Sequence, residues 1–319
     1  MPKPHRPRHG SMQFWPRVRA KRESSRVRTW KSSSEAKLMG FAGYKAGMGH
    51  VIYTDNKPHS MTKGEDIACP VTIVECPPIK LIGIQFYKNS SYGLKTVSQI
   101  FAQNLDKNLE RTLQMPKKNQ GKEAQDFDDL RLIVHTQPSL TGIGKKAPEV
   151  FQIGIGGNKE DKLKFAKENL GKEVAISDVF KEGQLIDIHA VTKGKGFQGP
   201  VKRFGVNIRS HKSEKTKRGP GSLGPWKGQG HVMYRVAHAG KMGYHLRTHY
   251  NQWLMKISSK PEEVKSSSGL QNYGNVKNSY VLIKGSVQGP KKRLVMLTSP
   301  IREPSKSYKE SPSIQRIIL

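Results

Sequence analysis

Short apolar runs bounded by turn residues dominate residues 38–192 and return after residue 277. Runs rich in Val, Ile, Tyr and Phe that end in Asn, Asp, Gly or Pro are typical of β-strands. Eight runs fit this description, and we predict strands at 45–56, 69–78, 79–87, 128–138, 150–157, 184–192, 278–287 and 292–299. Two further stretches are predicted to be helices instead.

The first helical stretch is 94–113, where the apolar positions recur every three or four residues. These positions are Leu94, Val97, Phe101, Leu105 and Leu109. The second is 158–172, with Asn158 as the expected N-cap and Gly171 just past the end. Many short strands with two inserted helices predict an α+β, mainly β fold with a β-barrel or strongly bent sheet at its centre.

Two segments lack any such periodicity and are strongly basic. Residues 1–31 contain ten Lys/Arg and one acid, Glu23, and residues 193–260 contain fifteen Lys/Arg and one acid, Glu214. We therefore expect a basic N-terminal extension and a basic central extension on one body that contains an inserted helical segment. The predicted bounds are 1–37 for the first extension, 193–257 for the second, 38–192 and 258–319 for the body, and about 88–130 for the insertion.

The whole chain is basic as well. Its 319 residues include 56 Lys/Arg and 25 Asp/Glu, which gives a formal net charge of +31 and a pI of about 10.1. Such a charge destabilises a compact state unless a polyanion neutralises it, so the expected partner is nucleic acid or an acidic membrane. No apolar run approaches the roughly 20 residues of a membrane span, and the basic N-terminus has no apolar core typical of a secretory signal.

Three patterns suggest other chemistry, and each is incomplete. Gly194-x-Gly196-x-x-Gly199 follows a predicted strand, but no helix is evident after it and no ribose-binding acid follows at the right distance. The HLRTH stretch at 245–249 has Leu where a zinc protease has its Glu base. The two cysteines, Cys69 and Cys76, are expected to be small buried residues in a reducing cytoplasm. We predict no catalytic residue, no metal site and no small-molecule substrate.

The basic central segment instead has the composition of an RNA-binding segment. Its glycines let the backbone approach phosphates, its cations neutralise them, and its aromatic side chains can stack on unpaired bases. A free-standing nucleic-acid enzyme is the first alternative, but the acids are concentrated in 88–182, away from this segment. A polybasic membrane-surface protein is the second, but the basic segments show no amphipathic helix.

The stretch GSLGPWKGQGHVMYRVAHAGKMGYHLRTHYNQWLMKI, residues 221–257, resembles the central loop of the L-three family of large-subunit ribosomal proteins. VTKGKGFQG at 191–199 is similar to the strand exit of that family, and residues 272–297 are similar to its C-terminal strands. PRHGSMQFWPRVRAKR at 7–22 resembles the archaeal and eukaryotic tails, and the length resembles the archaeal form. The segment 212–226 departs from the eukaryotic form, with Lys217 in place of a histidine that can be methylated, so no modification is carried over.

The resemblance implies a translation-protein-type β-barrel whose basic extensions thread into 23S rRNA near its 3′ end. It further implies a role in nucleating assembly of the 50S subunit, a loop directed toward the peptidyl-transferase centre, and neighbours of the L-fourteen and L-twenty-four families. It implies a cytoplasmic, ribosomal protein that is not an enzyme, contacts no membrane, and has no cofactor, with Mg²⁺ present only through the rRNA.

The candidate rRNA contacts combine the residue types of the basic segments with this resemblance. Trp253 is not among them, because it is expected to pack at the edge of the body. The candidates are Trp15, Arg17, Arg19, Arg22, Lys193, Lys195, Lys202, Arg203, Lys217, Arg218, Trp226, Lys227, His231, Arg235, Lys241, Tyr244, His245 and Arg247.

Overall fold

A computed structural model describes residues 7–115, 121, 123–213, 215–224, 230–266, 268–304 and 310–319. The chain divides into two compact units. We call the smaller one the basic unit; it comprises Met1–Lys21 and Thr192–Leu246. We call the larger one the body; it comprises Arg22–Val191 and Arg247–Leu319.

Strands are the main regular structure of the described residues, which confirms the α+β, mainly β prediction. Each of the eight predicted strands has a counterpart within a few residues of its predicted bounds. The strands are β1 (Gly40–Thr54), β2 (Asp66–Glu75), β3 (Ile79–Ser90), β4 (Gly93–Phe101), β5 (Asp129–His135), β6 (Val150–Gly154), β7 (Glu173–Val174), β8 (Leu185–Val191), β9 (Phe197–Gln198), β10 (Gly240–Lys241), β11 (Leu246–Ser258), β12 (Tyr280–Lys284), β13 (Leu294–Thr298) and β14 (Ser313–Ile318).

Two α-helices lie in the described residues, α1 (Lys159–Asn169) and α2 (Pro200–Phe204). Helix α1 confirms the predicted second helix. Asn158 occupies its N-cap position without a side-chain capping hydrogen bond, and Gly171 follows its end with a φ of +84°. Short 3-10 helices complete the helical structure, at Lys107–Arg111, Pro138–Leu140, Ile176–Asp178 and Pro261–Val264.

The body strands form two sheets. One runs in the order β13-β8-β11-β12-β2-β1-β14, and β13 at its end also pairs with β1. The other runs β4-β3-β5-β6, with β7 pairing with β3. Side chains of both sheets share one core cluster, which includes Phe41 of β1, Ile73 of β2, Phe86 of β3 and Leu132 of β5, all essentially inaccessible to solvent.

The helix predicted over 94–113 is wrong. Residues 93–101 form strand β4, which pairs antiparallel with β3 through a tight turn at 90–93, and only Lys107–Arg111 is helical, as a 3-10 turn. The apolar positions that recur at helical spacing belong mainly to two different elements, the strand and the 3-10 turn. Leu94 and Val97 of the strand are about half exposed, whereas Leu109 is buried against Ile82. Backbone hydrogen bonding to the neighbouring strand β3 overrides the helical spacing of the side chains.

Strands β11 and β14 were not predicted. Most of β11 falls in the predicted extension 193–257, yet the structure pairs it with β8 and β12 in the body sheet. Trp253 of β11 is 8% exposed and donates its indole N–H to the carbonyl oxygen of Gly183 at 2.9 Å, in agreement with its expected packing in the body. The basic residues at the start of β11 obscured its apolar C-terminal half.

The N-terminal segment that follows Lys21 packs on the body. Trp30 lies against Gly154, where a Cβ atom would come within 2.6 Å of the indole, and Val27 is buried. Glu23 forms an ion pair with Arg293 at 2.7 Å. The predicted extension 1–37 therefore contributes to both compact units. None of the described helices has the length and apolar character required to cross a bilayer.

Candidate nucleic-acid interface

The basic unit is almost free of acids. Its two segments, 1–21 and 192–246, contain eighteen Lys/Arg, and Glu214 is the only acid. In the body, by contrast, several exposed lysines have carboxylate partners, such as Lys88 with Asp126 and Lys167 with Glu123. The cations of the basic unit therefore lack enough carboxylates within the unit to neutralise them.

A two-stranded stem organises the central segment as it leaves and re-enters the body. The backbone N–H of Thr192 donates to the carbonyl of His245, that of Lys195 to Met242, and that of Met242 to Gly196, each at 2.9 Å. The ladder continues into the paired strands β9 and β10. Continuous backbone pairing fixes the path of a segment that has almost no apolar face.

Gly243 is required by this stem. Its φ is +75°, and a Cβ atom at this position would lie 2.0 Å from the carbonyl oxygen of Lys193. Only glycine permits both that backbone conformation and that approach. The glycine-rich composition of the segment therefore serves the internal packing of the protein here, in addition to any approach to RNA.

Cationic side chains and one aromatic ring of the stem face solvent. Lys193, Lys195 and Lys241 are exposed, and Phe197 has 74% of its surface accessible. An exposed phenylalanine among lysines is unfavourable in water, but it suits a surface that stacks on bases and neutralises phosphates.

Phe204 is the apolar centre of the basic unit and holds the N-terminal arm. It is 8% exposed, and the ring of Trp15 lies 5.6 Å from its ring centroid. The guanidinium of Arg17 lies 4.1 Å from the same centroid and donates to the carbonyl oxygen of Arg203 at 2.7 Å. Trp15 and Arg17, predicted to contact rRNA, are thus engaged within the protein.

Arg203 is engaged in the same way. It donates through Nε to the carbonyl of Lys241 at 3.0 Å and through Nη1 to that of His238 at 2.9 Å, and burial lowers its pKa from the usual value. These contacts join helix α2 to the returning strand. The structure therefore gives Arg203 an internal structural contact that the sequence did not predict.

The arm is fixed to the stem at a second place. The backbone N–H of Ala20 donates to the carbonyl of Tyr244 at 2.8 Å, and the Nδ1 atom of buried His245 lies 2.8 Å from the carbonyl oxygen of Val18. Arg19 is exposed and lies with its guanidinium 5.1 Å from the Tyr244 ring centroid. His245 is thus turned into the protein.

The remaining candidates differ in their placement. Five are exposed in the basic unit: Lys202, Lys217, Arg218, His231 and Arg235. Arg22 and Arg247 belong to the body; the former is exposed, and the latter is half-buried with a pKa lowered by burial. Trp226 and Lys227 lie outside the described residues.

Two exposed aromatic residues were missed. Phe197 and Tyr234 have 74% and 72% of their surfaces accessible, and both lie in the acid-poor segment. The available signal was their position between cations, Lys195 before Phe197 and Arg235 after Tyr234. They would have been found by treating every aromatic residue of that segment as a base-stacking candidate.

The expectation that no helix follows Gly199 is wrong. Helix α2 begins at Pro200, with Gly199 at its N-cap and Gly205 in the left-handed conformation at its C-cap. Proline at the first position and glycine past the end are the local signals for it. The helix has only five residues and follows β9 rather than a long parallel strand, so the arrangement differs from a dinucleotide-binding loop.

We expect Gly10→Ala to loosen the arm. Gly10 has a φ of +75°, and an added Cβ would lie 3.2 Å from Cβ of Ala237, so the substitution strains the contact by about 1–2 kcal/mol. The amide of Ala20 should then exchange with deuterium faster, by roughly 5- to 30-fold. Gly64→Ala in the body is the control, because its φ is +82° but no atom lies within 4 Å. Unchanged exchange in Gly10→Ala would show that the arm is held elsewhere.

Among the described residues, no group of three or more His, Cys, Asp or Glu side chains is arranged to hold a metal ion. Residues 1–317 match the family described as Ribosomal protein L3.

Curated archaeal proteins are similar to the chain over nearly its whole length. The large ribosomal subunit protein uL3 of Methanobrevibacter smithii is 45% identical over 326 residues, which cover 98% of this chain and 96% of that protein. The protein of the same name from Archaeoglobus fulgidus is 44% identical over 314 residues, or 95% and 94% of the two chains. That of Methanocaldococcus jannaschii is 45% identical over 309 residues, or 93% and 92%.

Proposed function

The chain belongs to the ribosomal protein L3 family and is a structural protein of the large ribosomal subunit, and we propose that its basic unit is the surface that anchors it in ribosomal RNA. The resemblance to this family in residues 191–199 and 221–257 is thereby confirmed. The family is one of structural ribosomal proteins and not of enzymes.

One observation carries the proposal about the surface. A compact unit with eighteen Lys/Arg and a single acid presents Lys193, Lys195 and Lys241 to solvent together with Phe197. Self-repulsion among so many cations disfavours a compact fold in isolation. Phosphate groups between them would remove that repulsion, and release of counterions from the RNA would supply a large part of the affinity.

The interior contacts of the unit separate two roles among the candidates. Trp15, Arg17, Arg203 and His245 hold the arm against the central segment. The exposed cations then contact phosphates, and the exposed aromatic rings stack on unpaired bases. Recognition in this arrangement depends on RNA shape and stacking rather than on base edges in a groove.

We extend the proposal to the place of the chain in the particle. The binding site is 23S-type rRNA near its 3′ end, binding there nucleates assembly of the large subunit, and the central segment reaches toward the peptidyl-transferase centre. The body closes as a translation-protein-type barrel and meets neighbours of the L-fourteen and L-twenty-four families. The chain works in the cytoplasm without a cofactor of its own, and Mg²⁺ enters only through the RNA.

Sedimentation of a cell lysate tests the anchoring role. The chain is expected to migrate with the large subunit in a sucrose gradient at low salt and again at about 0.5 M salt. A basic unit that is threaded into rRNA is held by many phosphate contacts at once. Release to the top of the gradient at modest salt would indicate a peripheral electrostatic binder and would overturn the anchoring role of the basic unit.

A further inference from the structure

A cleft of about 400 Å³ lies within the basic unit, between the N-terminal arm and the returning part of the central segment. Its volume is in the lower part of the range of about 300–1,000 Å³ typical of ligand pockets. None of the candidate roles above requires an open cleft here. Its lining includes Arg8, His9, Pro220, Met233, Arg235 and Val236.

The two walls of the cleft are joined to each other. Arg8 of the arm donates through Nη2 to the carbonyl oxygen of Arg235 at 2.9 Å and through Nη1 to the carbonyl oxygen of Gly10. Gly10 in turn donates its N–H to the carbonyl of Phe204 at 3.3 Å. The guanidinium of Arg8 is therefore held at the wall, while the side chain of Arg235 is exposed, with its Nη2 atom 4.0 Å from Sδ of Met233.

The lining combines two kinds of surface. Arg8, His9 and Arg235 supply cationic and hydrogen-bonding groups, and Met233, Val236 and Pro220 supply apolar ones. An arginine guanidinium binds a phosphate through paired hydrogen bonds and stacks on planar rings, and a methionine side chain adapts to the edge or face of a ring. The ligand that matches both surfaces is an anion joined to a flat, largely apolar ring.

We propose that this cleft holds one unpaired nucleotide of ribosomal RNA, with its base against Met233 and its phosphate at Arg8 and Arg235. This inference rests on the proposed function, since it names a single nucleotide as the ligand of one part of the same surface. The surrounding acid-poor unit favours an RNA nucleotide over a free one, because the phosphates on either side of an RNA nucleotide also meet exposed cations.

Base-specific chemical probing of rRNA in purified large subunits tests the inference. Two variants alter the cleft in different ways: Met233→Arg fills the apolar side, and Arg235→Ala removes one cation. Both are expected to raise the reactivity of the same single base by about tenfold, since loss of a contact to an unpaired base shifts its occupancy by roughly that factor. Variant subunits are collected whatever their yield, so that poor assembly does not remove the readout.

Met61→Arg is the matched control. It makes the same substitution at a fully exposed methionine of the body, so the change in charge and size is the same. No base should change with the control. Unchanged reactivity of every base in both cleft variants, or changes at different bases, would overturn the inference, and unchanged bases would favour a protein segment as occupant. Absence of the wild-type chain from large subunits would instead overturn the proposed function, so the two failures are distinguishable.

Discussion

Replacing four exposed lysines of the basic unit with glutamine is expected to weaken binding to large-subunit rRNA by about 10²–10³-fold at 0.1 M salt. Each phosphate contact releases about 0.7–0.9 counterion, so the slope of log binding constant against log salt should become shallower by about three. A salt titration of the full chain with an rRNA fragment measures both quantities. The four positions are Lys193, Lys195, Lys202 and Lys241.

The body provides a control with the same change in net charge. It replaces four lysines that already have a carboxylate partner within 4 Å: Lys88, Lys159, Lys167 and Lys256. This variant should keep a slope close to that of the wild type, because its lysines are already neutralised. An equal loss in both variants would mean that net charge alone drives binding and that the basic unit has no special role.

The second large effect concerns stability. Glu75 of β2 is completely buried, and its carboxylate accepts hydrogen bonds from the Tyr273 hydroxyl and from the backbone N–H groups of Lys277 and Asn278, at 2.5–2.9 Å. Burial, and next the charge of Glu75, raise the pKa of Tyr273. Glu75→Ala leaves these donors buried without an acceptor, which should cost about 3–5 kcal/mol of unfolding free energy.

Thermal unfolding followed by circular dichroism measures this cost. Glu75→Ala should lower Tm by about 6–20 °C for a body of this size. Glu168→Ala, at an exposed position of α1, should change the unfolding free energy by no more than about 0.5 kcal/mol. Equal Tm values for the wild type and Glu75→Ala would show that the segment near Tyr273 is held by packing and not by this carboxylate.

The interface was partly predictable. The acid-poor composition of the central segment marked Lys193, Lys195 and Lys241 as solvent-facing cations, and the structure exposes them. The same rule could not separate them from Arg17 and Arg203, which have the same chemistry and donate to backbone carbonyls instead. The partner of a cation depends on which backbone groups the fold places beside it. The residues next to it in the sequence do not determine this.

The sequence by itself determined the properties that depend on neighbouring residues. Apolar runs and turn residues located the eight body strands, the end signals Asn158 and Gly171 located α1, and the segregation of charge marked the acid-poor part of the chain. Only the tertiary structure decided that residues 93–101 pair with β3, that Phe204 holds the arm, and that Gly243 must approach Lys193. The contacts of Phe204 and Gly243 join residues that are distant in sequence, and the hairpin of β3 and β4 forms against the helical spacing of its side chains. In each case hydrogen bonding and burial override local preference.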